Sequence, residues 1–296
     1  MSKRLLITAL TSLAFLTGCG DSDVARQFRD ASRSLLPDSE DSRSFGALIR
    51  SIVTDVADSV MASVNRTAAS HARKARAGSL VSVTSNGGLM LYTPEFKRID
   101  LVTGTMPSKD ETDVILVCEA AFTGELLEEF RHSNIAGHHV SGGEFHKGFK
   151  CGPNNGVFTW SAGDGWHFYN CGHSGSVDVL KKVAAEGGMG FCQSLLFLDG
   201  KRFKGGFKAD QVNRYRALCE LDGRLCIADC GEYMTFGAFM DELEHIGVTN
   251  AIYCDMGPGW NYSWYRRADG TVQEIFTTPG KYTTNWVTFY SSERKD

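Results

Sequence analysis

Carboxylates in this chain recur at one kind of place, the polar position that follows an apolar, strand-like run. Asp255 closes Ala251-Ile-Tyr-Cys254 and leads into Met256-Gly-Pro-Gly-Trp260-Asn261-Tyr262. Asp229 and Glu232 follow Leu225-Cys-Ile-Ala228, and Glu119 follows Val114-Ile-Leu-Val-Cys118. Glu144 stands in Ser141-Gly-Gly-Glu144, with His138, His139 and His146 close by. A rigid scaffold presenting polar groups on loops is the usual layout of a site. A carboxylate after a strand also serves as a turn-former or helix cap, so each has a structural reading beside the chemical one. The stretch after Asp255 tilts that residue towards a ligand, because glycine lets a backbone approach closely. Trp260, Tyr262, Trp264 and Tyr265 suit stacking on sugar faces, and equally suit a packed core. Arg214 and Arg216 flank Tyr215, so on a strand both point to one face. There a guanidinium grips phosphate or carboxylate oxygens, or lies in solvent. The histidines match no standard helix-borne zinc spacing; no metal and no cofactor is expected.

Elements must hold these groups. Residues 89–92 and 114–118 read as strands, and 134–140 as a weaker one. Gly-rich loops are expected at 141–156 and 162–175, then a helix over 177–185 and a strand over 191–198 that ends in Asp199-Gly200. Segments 214–220 and 224–228 flank Asp222-Gly223, a strong hairpin signal. A helix over 235–246 is capped by Thr235, presents Phe236, Met240, Leu243 and Ile246 as a face, and stops at Gly247. Residues 250–254 form the next strand. If 224–228 and 250–254 run parallel, their C-terminal ends open onto one sheet edge. That edge is favoured by ligands, and it would bring loop 229–233 near loop 255–261.

The N-terminus carries a different chemistry. Lys3 and Arg4 precede an apolar run over 5–16 that is too short to span a bilayer, which needs roughly 20 apolar residues. Length and flanks fit a secretory signal peptide. Leu16-Thr17-Gly18-Cys19 has the form of a lipobox, so an acylated Cys19 would replace a transmembrane helix as anchor. Residues 1–18 are read as lipoprotein signal, 19–76 as linker and amphipathic helix, and 77–292 as the main domain. The helix assignment rests on Leu48, Ile49, Ile52, Val53, Val56, Val60 and Met61. The expected fold class is α+β: a mixed β-sheet domain with flanking helices, preceded by a short N-terminal helical segment. A formal net charge of −4 offers no positive field to track phosphates, which argues against nucleic acid as a partner. The membrane, through the lipid anchor, is the expected partner, and the cell envelope the expected location. Of nine cysteines, those at 118, 192, 219, 226 and 254 sit in apolar runs and read as buried thiols. Cys151 and Cys171 lie in polar loops, where an oxidising compartment allows them to pair.

Two ordered motifs resemble the phosphodiester glycosidase family. Arg214-Tyr-Arg-Ala-Leu-Cys-Glu-Leu-Asp-Gly-Arg-Leu-Cys-Ile-Ala-Asp229 is similar to that family's R-x-A-x-G-x-x-x-D-G hairpin. Leu243-Glu-His-Ile-Gly-Val-Thr-Asn-Ala-Ile-Tyr-Cys-Asp255-Met-Gly is similar to L-x-x-L-G-x-x-x-A-x-N-L-D-G-G. The likeness spans about residues 80–292. The family's Asp-Gly-Gly-x-Ser is here Asp255-Met256-Gly257-Pro258-Gly259, without the serine, and Arg216 has no family counterpart. The resemblance implies an exported hydrolase that cleaves a sugar from a sugar-1-phosphodiester or related glycoconjugate, with carbohydrate or sugar phosphate as ligand. It needs one carboxylate near C1 and one cation on the phosphate. Asp255 or Glu232 is assigned the first role and Arg214 the second, with Glu144 as candidate second carboxylate. Glu119, His138, Arg216, Gly257, Trp260 and Asn261 are assigned to substrate binding. The alternative is a non-catalytic surface lipoprotein that binds glycans through the same loops.

Overall fold

The computed structural model describes residues 80–171, 175–256 and 261–293, all within the unit Ser70–Asp296. The signal peptide, Cys19, the linker and the N-terminal helix lie outside the described residues, as do Gly257 and Trp260.

In chain order the strands are β1 (Val81–Asn86), β2 (Leu89–Pro94), β3 (Arg98–Thr103), β4 (Val114–Glu119), β5 (His139–Ser141), β6 (Glu144–His146), β7 (Asn155–Ser161) and β8 (Gly165–Asn170). Helix α1 (Ser176–Ala185) follows, then β9 (Met189–Leu198), β10 (Lys201–Arg202), β11 (Val212–Asn213), β12 (Arg216–Leu221), β13 (Arg224–Asp229) and β14 (Met234–Thr235). Helix α2 (Phe236–His245) leads into β15 (Asn250–Cys254), β16 (Trp264–Arg266), β17 (Val272–Glu274) and β18 (Asn285–Tyr290). An 11-stranded sheet runs β1-β2-β13-β12-β15-β9-β5-β6, with β7, β8 and β10 attached through β9 and β7. A 5-stranded sheet runs β17-β16-β4-β18-β3. Every pairing between these strands is antiparallel.

This is a mainly-β domain, which corrects the α+β expectation. The two helices expected within the main domain form, but they are the only α-helices among the described residues and each is ten residues long. The excess strand lies where glycine hid it. The Gly-rich segments read as loops contain β6 and β8 and the first two residues of β7, whose remainder lies between them. In β7 the six residues from Gly156 to Ser161 are buried, so aromatic and β-branched side chains outweigh the loop signal of nearby glycines.

The strands 224–228 and 250–254 do run in the same direction, but not as neighbours. β12 lies between them, antiparallel to both, with Arg216 opposite Asp229 on one side and Cys254 on the other. Their C-terminal ends therefore share an edge, as a parallel pair would. Asp222 and Gly223 make the β12–β13 turn with φ of 52° and 68°, the left-handed geometry that favours Asp-Gly at such hairpins.

Alternation splits the large sheet into two apolar faces. Leu218, Leu225, Ile227 and Ile252 pack against Ile99, Ile115, Leu116 and Phe289 of the small sheet. Ala217, Cys219, Cys226 and Ala251 pack on the other face with Phe236, Phe239, Met240 and Leu243 of α2. Each of those four helix side chains contributes roughly 1.5–3 kcal/mol on burial. Thr235 Oγ1 caps α2 by accepting from the Ala238 amide at 3.2 Å, and Gly247 ends it at φ 84°. No helix among the described residues is long and apolar enough to cross a membrane.

Candidate functional site

Asp255 stands just past the end of β15, 5% exposed. Its amide donates to Ala120 O at 3.0 Å, tying the end of β15 to the segment after β4. Tyr253 Oη accepts from the Met256 amide at 3.1 Å and stiffens the same turn. Asp255 lines a cavity of about 460 Å³. Lys150 also lines it, and these two are its charged residues among those described. Asn155, Gln193 and Asn213 add amide groups. Gln193 sits in the apolar strand β9, 1% exposed; its Oε1 accepts from the Ser194 amide, while its buried Nε2 has no hydrogen-bond partner. A buried donor left unmade costs about 1–3 kcal/mol, and a ligand in the cavity would recover it.

The cavity mouth is apolar. Phe122, Leu126, Leu127 and Phe149 line it, and all four are exposed. The 3₁₀ turn Gly124–Leu126 carries Leu126, with Leu127 as its C-cap and Phe122 just before its N-cap Thr123. The loop before β7 presents Phe149 and Lys150, and Gly148 lets it pack close. A Cβ at Gly148 would run into the carbonyl oxygens of Ala136 and Gly137, which are backbone and cannot give way.

The other candidate residues fall in different places. Arg216 is fully buried and already committed. Its Nε donates to Asp229 Oδ2 at 2.8 Å and its Nη2 lies 2.7 Å from the same oxygen. Nη1 donates to Ser263 Oγ at 2.5 Å and Nη2 to Ile275 O at 3.1 Å. Asp229 Oδ1 accepts from the Gly231 amide at 2.7 Å. This network bolts β12 and β13 of the large sheet to the turns flanking β16 and β17 of the small one, and Arg216 does not line the cavity. Arg214 precedes β12 and does not share a strand face with Arg216. Its guanidinium lies 3.9 Å over the Phe276 ring, and its buried Nε has no hydrogen-bond partner. Its neighbour Asn213 is on the cavity wall.

Glu144 and Glu232 are exposed, and neither lines the cavity. Asn261 is buried and pairs through its backbone with Thr278. His138 Nδ1 accepts from the Gly148 amide at 3.0 Å, which holds the loop rather than a ligand, and burial lowers its affinity for a proton. Burial also pushes His139 down to about 4. Five cysteines at 118, 219, 226, 230 and 254 are buried thiols. Cys192, expected among them, instead forms a disulfide with Cys151, so Cys151 does not pair with Cys171.

Glu119 is 2% exposed, and its Oε1 accepts from the Tyr262 amide at 2.8 Å and Trp286 Nε1 at 3.0 Å. Burial holds this carboxyl well above the usual carboxylate range; the Tyr262 hydrogen bond pulls it down and the Asp255 charge pushes it up. A carboxyl raised in the fold contributes stability below its unfolded pKa and loses it as pH rises through the folded value. Thermal stability should therefore fall on this account as pH rises above 4.5. Glu119→Gln keeps a carbonyl for both donors and should flatten that fall. Melting curves across pH 4–9 check it; identical slopes for the two proteins would refute the assignment.

Lys150, Asn155, Gln193 and Asn213 are missing from the sequence reading. Gln193 did carry a signal, a lone amide inside the apolar run Phe191–Leu198. Lys150 carried none, because its position depends on how a loop folds back.

No family model matches the chain. No curated protein matches it either. Among solved structures, it is similar to the catalytic domain of zebrafish N-acetylglucosamine-1-phosphodiester alpha-N-acetylglucosaminidase, auto-inhibited by its pro-peptide, at 12% identity and a TM-score of 0.46. That alignment covers 73% of this chain and 82% of the other. It is also similar to a hypothetical protein from Synechocystis, at 12% identity and a TM-score of 0.45, over 71% of this chain and 61% of that one. The likeness is a distant one of fold and not membership of a family.

Proposed function

We propose that the domain binds a sugar-1-phosphodiester in the Asp255 cavity and cleaves the sugar from the phosphate. The observation that carries this reading is the pairing of one buried carboxylate, Asp255, with one cation, Lys150, on the wall of a single cavity. Loss of the sugar leaves an oxocarbenium-like centre at C1 and expels a phosphate monoester. That leaving group needs little help from a general acid; it needs a cation against the charge that grows on its oxygens. Asp255 serves C1, as nucleophile or as base to water, and Lys150 meets the phosphate. Gln193 Nε2 donates to a sugar oxygen, and Arg214 is the second cation within this reading. Glu144 and Glu232 have no part in it.

The test is release of free sugar from a panel of sugar-1-phosphodiesters and an aryl phosphodiester of a sugar. Turnover supports the hydrolase. The apolar mouth formed by Phe122, Leu126, Leu127 and Phe149 favours a second reading, a binding module for glycans that carry an apolar group. Tight binding without turnover would select it, and neither binding nor turnover would remove both.

We also propose that Cys19 is acylated and tethers the domain in the cell envelope, on the strength of the run 5–16 and Leu16-Thr17-Gly18-Cys19. Cys19→Ala should move the protein from the membrane fraction to the soluble fraction on cell lysis. Retention of the variant in membranes would end the proposal.

A further inference from the structure

Three cysteines from three parts of the chain meet beside the cavity. Cys151 lies in the loop between β6 and β7, Cys171 just past β8, and Cys192 within β9. The sheet explains the convergence. β7 pairs with β8 on one side and β9 on the other, Cys192 stands opposite Val157, and the Cys171 amide donates to Asn155 O at 3.0 Å. The three sulfurs all lie within 4.8 Å of one another. Cys151 and Cys192 are joined as a disulfide, and Cys171 is a half-buried free thiol. A disulfide uses two sulfurs and leaves the third with no part in it. A thiophilic metal ion uses all three. At metal–sulfur bonds of about 2.3 Å, tetrahedral or trigonal ligation sets sulfurs roughly 3.8–4.0 Å apart, a spacing that small side-chain rotations supply here. The other close thiols, Cys118 with Cys254 and Cys219 with Cys226, are sealed pairs in the cores.

We propose that Cys151, Cys171 and Cys192 of the reduced protein form a site for a divalent metal ion of the zinc class. A dithiol reductant opens the site: two electrons and two protons go to the Cys151–Cys192 bond, which breaks to two thiols, and the reductant leaves as its own disulfide. The ion then forms three metal–sulfur bonds and displaces three thiol protons. The resulting unit carries one net negative charge, with Lys150 next to Cys151 in the chain. Cys151 and Cys192 both line the cavity, so the ion sits at its wall with a fourth position for water or another ligand. The oxidised and metal-bound states use the same sulfurs and exclude each other. Direct attack of Cys171 on the disulfide is the competing fate. Loading the fully reduced protein removes that competitor, because no disulfide remains to be attacked.

The experiment uses the full chain, reduced, freed of metal and handled without oxygen, with Co(II) as probe. The expected result is a thiolate-to-cobalt charge-transfer band that saturates at one ion per chain and bleaches when Zn(II) is added. The unreduced protein should give no band. C171S and C151S, folded by circular dichroism, should each weaken Co(II) binding at least about tenfold, and C219A should not. No band in the reduced protein, equal binding by the oxidised protein, or a band unchanged in either serine variant would overturn the site. None of these readouts depends on sugar release, so the site stands or falls apart from the hydrolase reading.

Discussion

Asp255→Asn is expected to lower kcat/KM on a sugar-1-phosphodiester by about 10²- to 10⁴-fold, the range that a positioned acid, base or nucleophile contributes. The substitution keeps the shape of the side chain and leaves the backbone bond from residue 255 to Ala120 O in place. The fold should therefore survive while the negative charge beside C1 is lost. If the loss falls on kcat with KM little changed, the residue acts in the transition state rather than in holding substrate. The anomer first released by the wild type separates the two chemical roles: retention marks Asp255 as nucleophile, inversion as base to water. Wild-type turnover by the Asn variant, checked by circular dichroism, would remove Asp255 from the mechanism.

Removing Arg216 should act on the whole domain instead. The residue is fully buried, and its loss leaves Asp229, 3% exposed at its side chain, as an uncompensated charge. Breaking such a pair from one side costs about 3–5 kcal/mol. For a domain of this size that is a fall in Tm of roughly 10 °C. Urea unfolding of Arg216→Ala measures it. An Arg216→Met, Asp229→Leu double variant should recover part of the loss, because paired replacement by apolar groups avoids the stranded charge. A phosphate grip predicts the reverse, intact stability with weakened ligand binding, and that outcome would restore the role assigned to Arg216 from sequence.

The two arginines show how far sequence reaches. Asp222-Gly223, the Thr235 cap, the apolar face of α2 and Gly247 are local signals, and each forms the element it encodes. The place of Asp255 just past a strand end was legible because an apolar run closed by a polar residue is also a local pattern. Arg216 looked like Arg214 in sequence, and what separates them is which partner waits across the sheet. Asp229 lies thirteen positions away and pairs with Arg216 through the hairpin register. Ser263 and Ile275 reach it only once the two sheets are stacked. The cavity is harder still to read. Its wall draws Phe122, Lys150, Gln193 and Asp255 from segments that share no periodicity. The Cys151–Cys192 disulfide has the same cause: it joins a polar loop to an apolar strand, and only the β7–β9 pairing brings them together. Glycine misled in the other direction, since a Gly-rich stretch marks a loop by composition, yet β6 and β8 lie inside such stretches and Gly156 stands near the start of β7 where Tyr169 O comes close.

β18 follows every other strand in the sequence, yet it occupies an interior place in the small sheet, between β4 and β3, with all six residues buried. On a ribosome, then, β3 and β4 emerge long before the strand that joins them. Until it arrives, their apolar faces and open edges have no partner, a state that invites aggregation or chaperone capture. Closing the sheet spans almost the whole length of the domain, so folding should be slow and cannot be complete before Tyr290 has emerged.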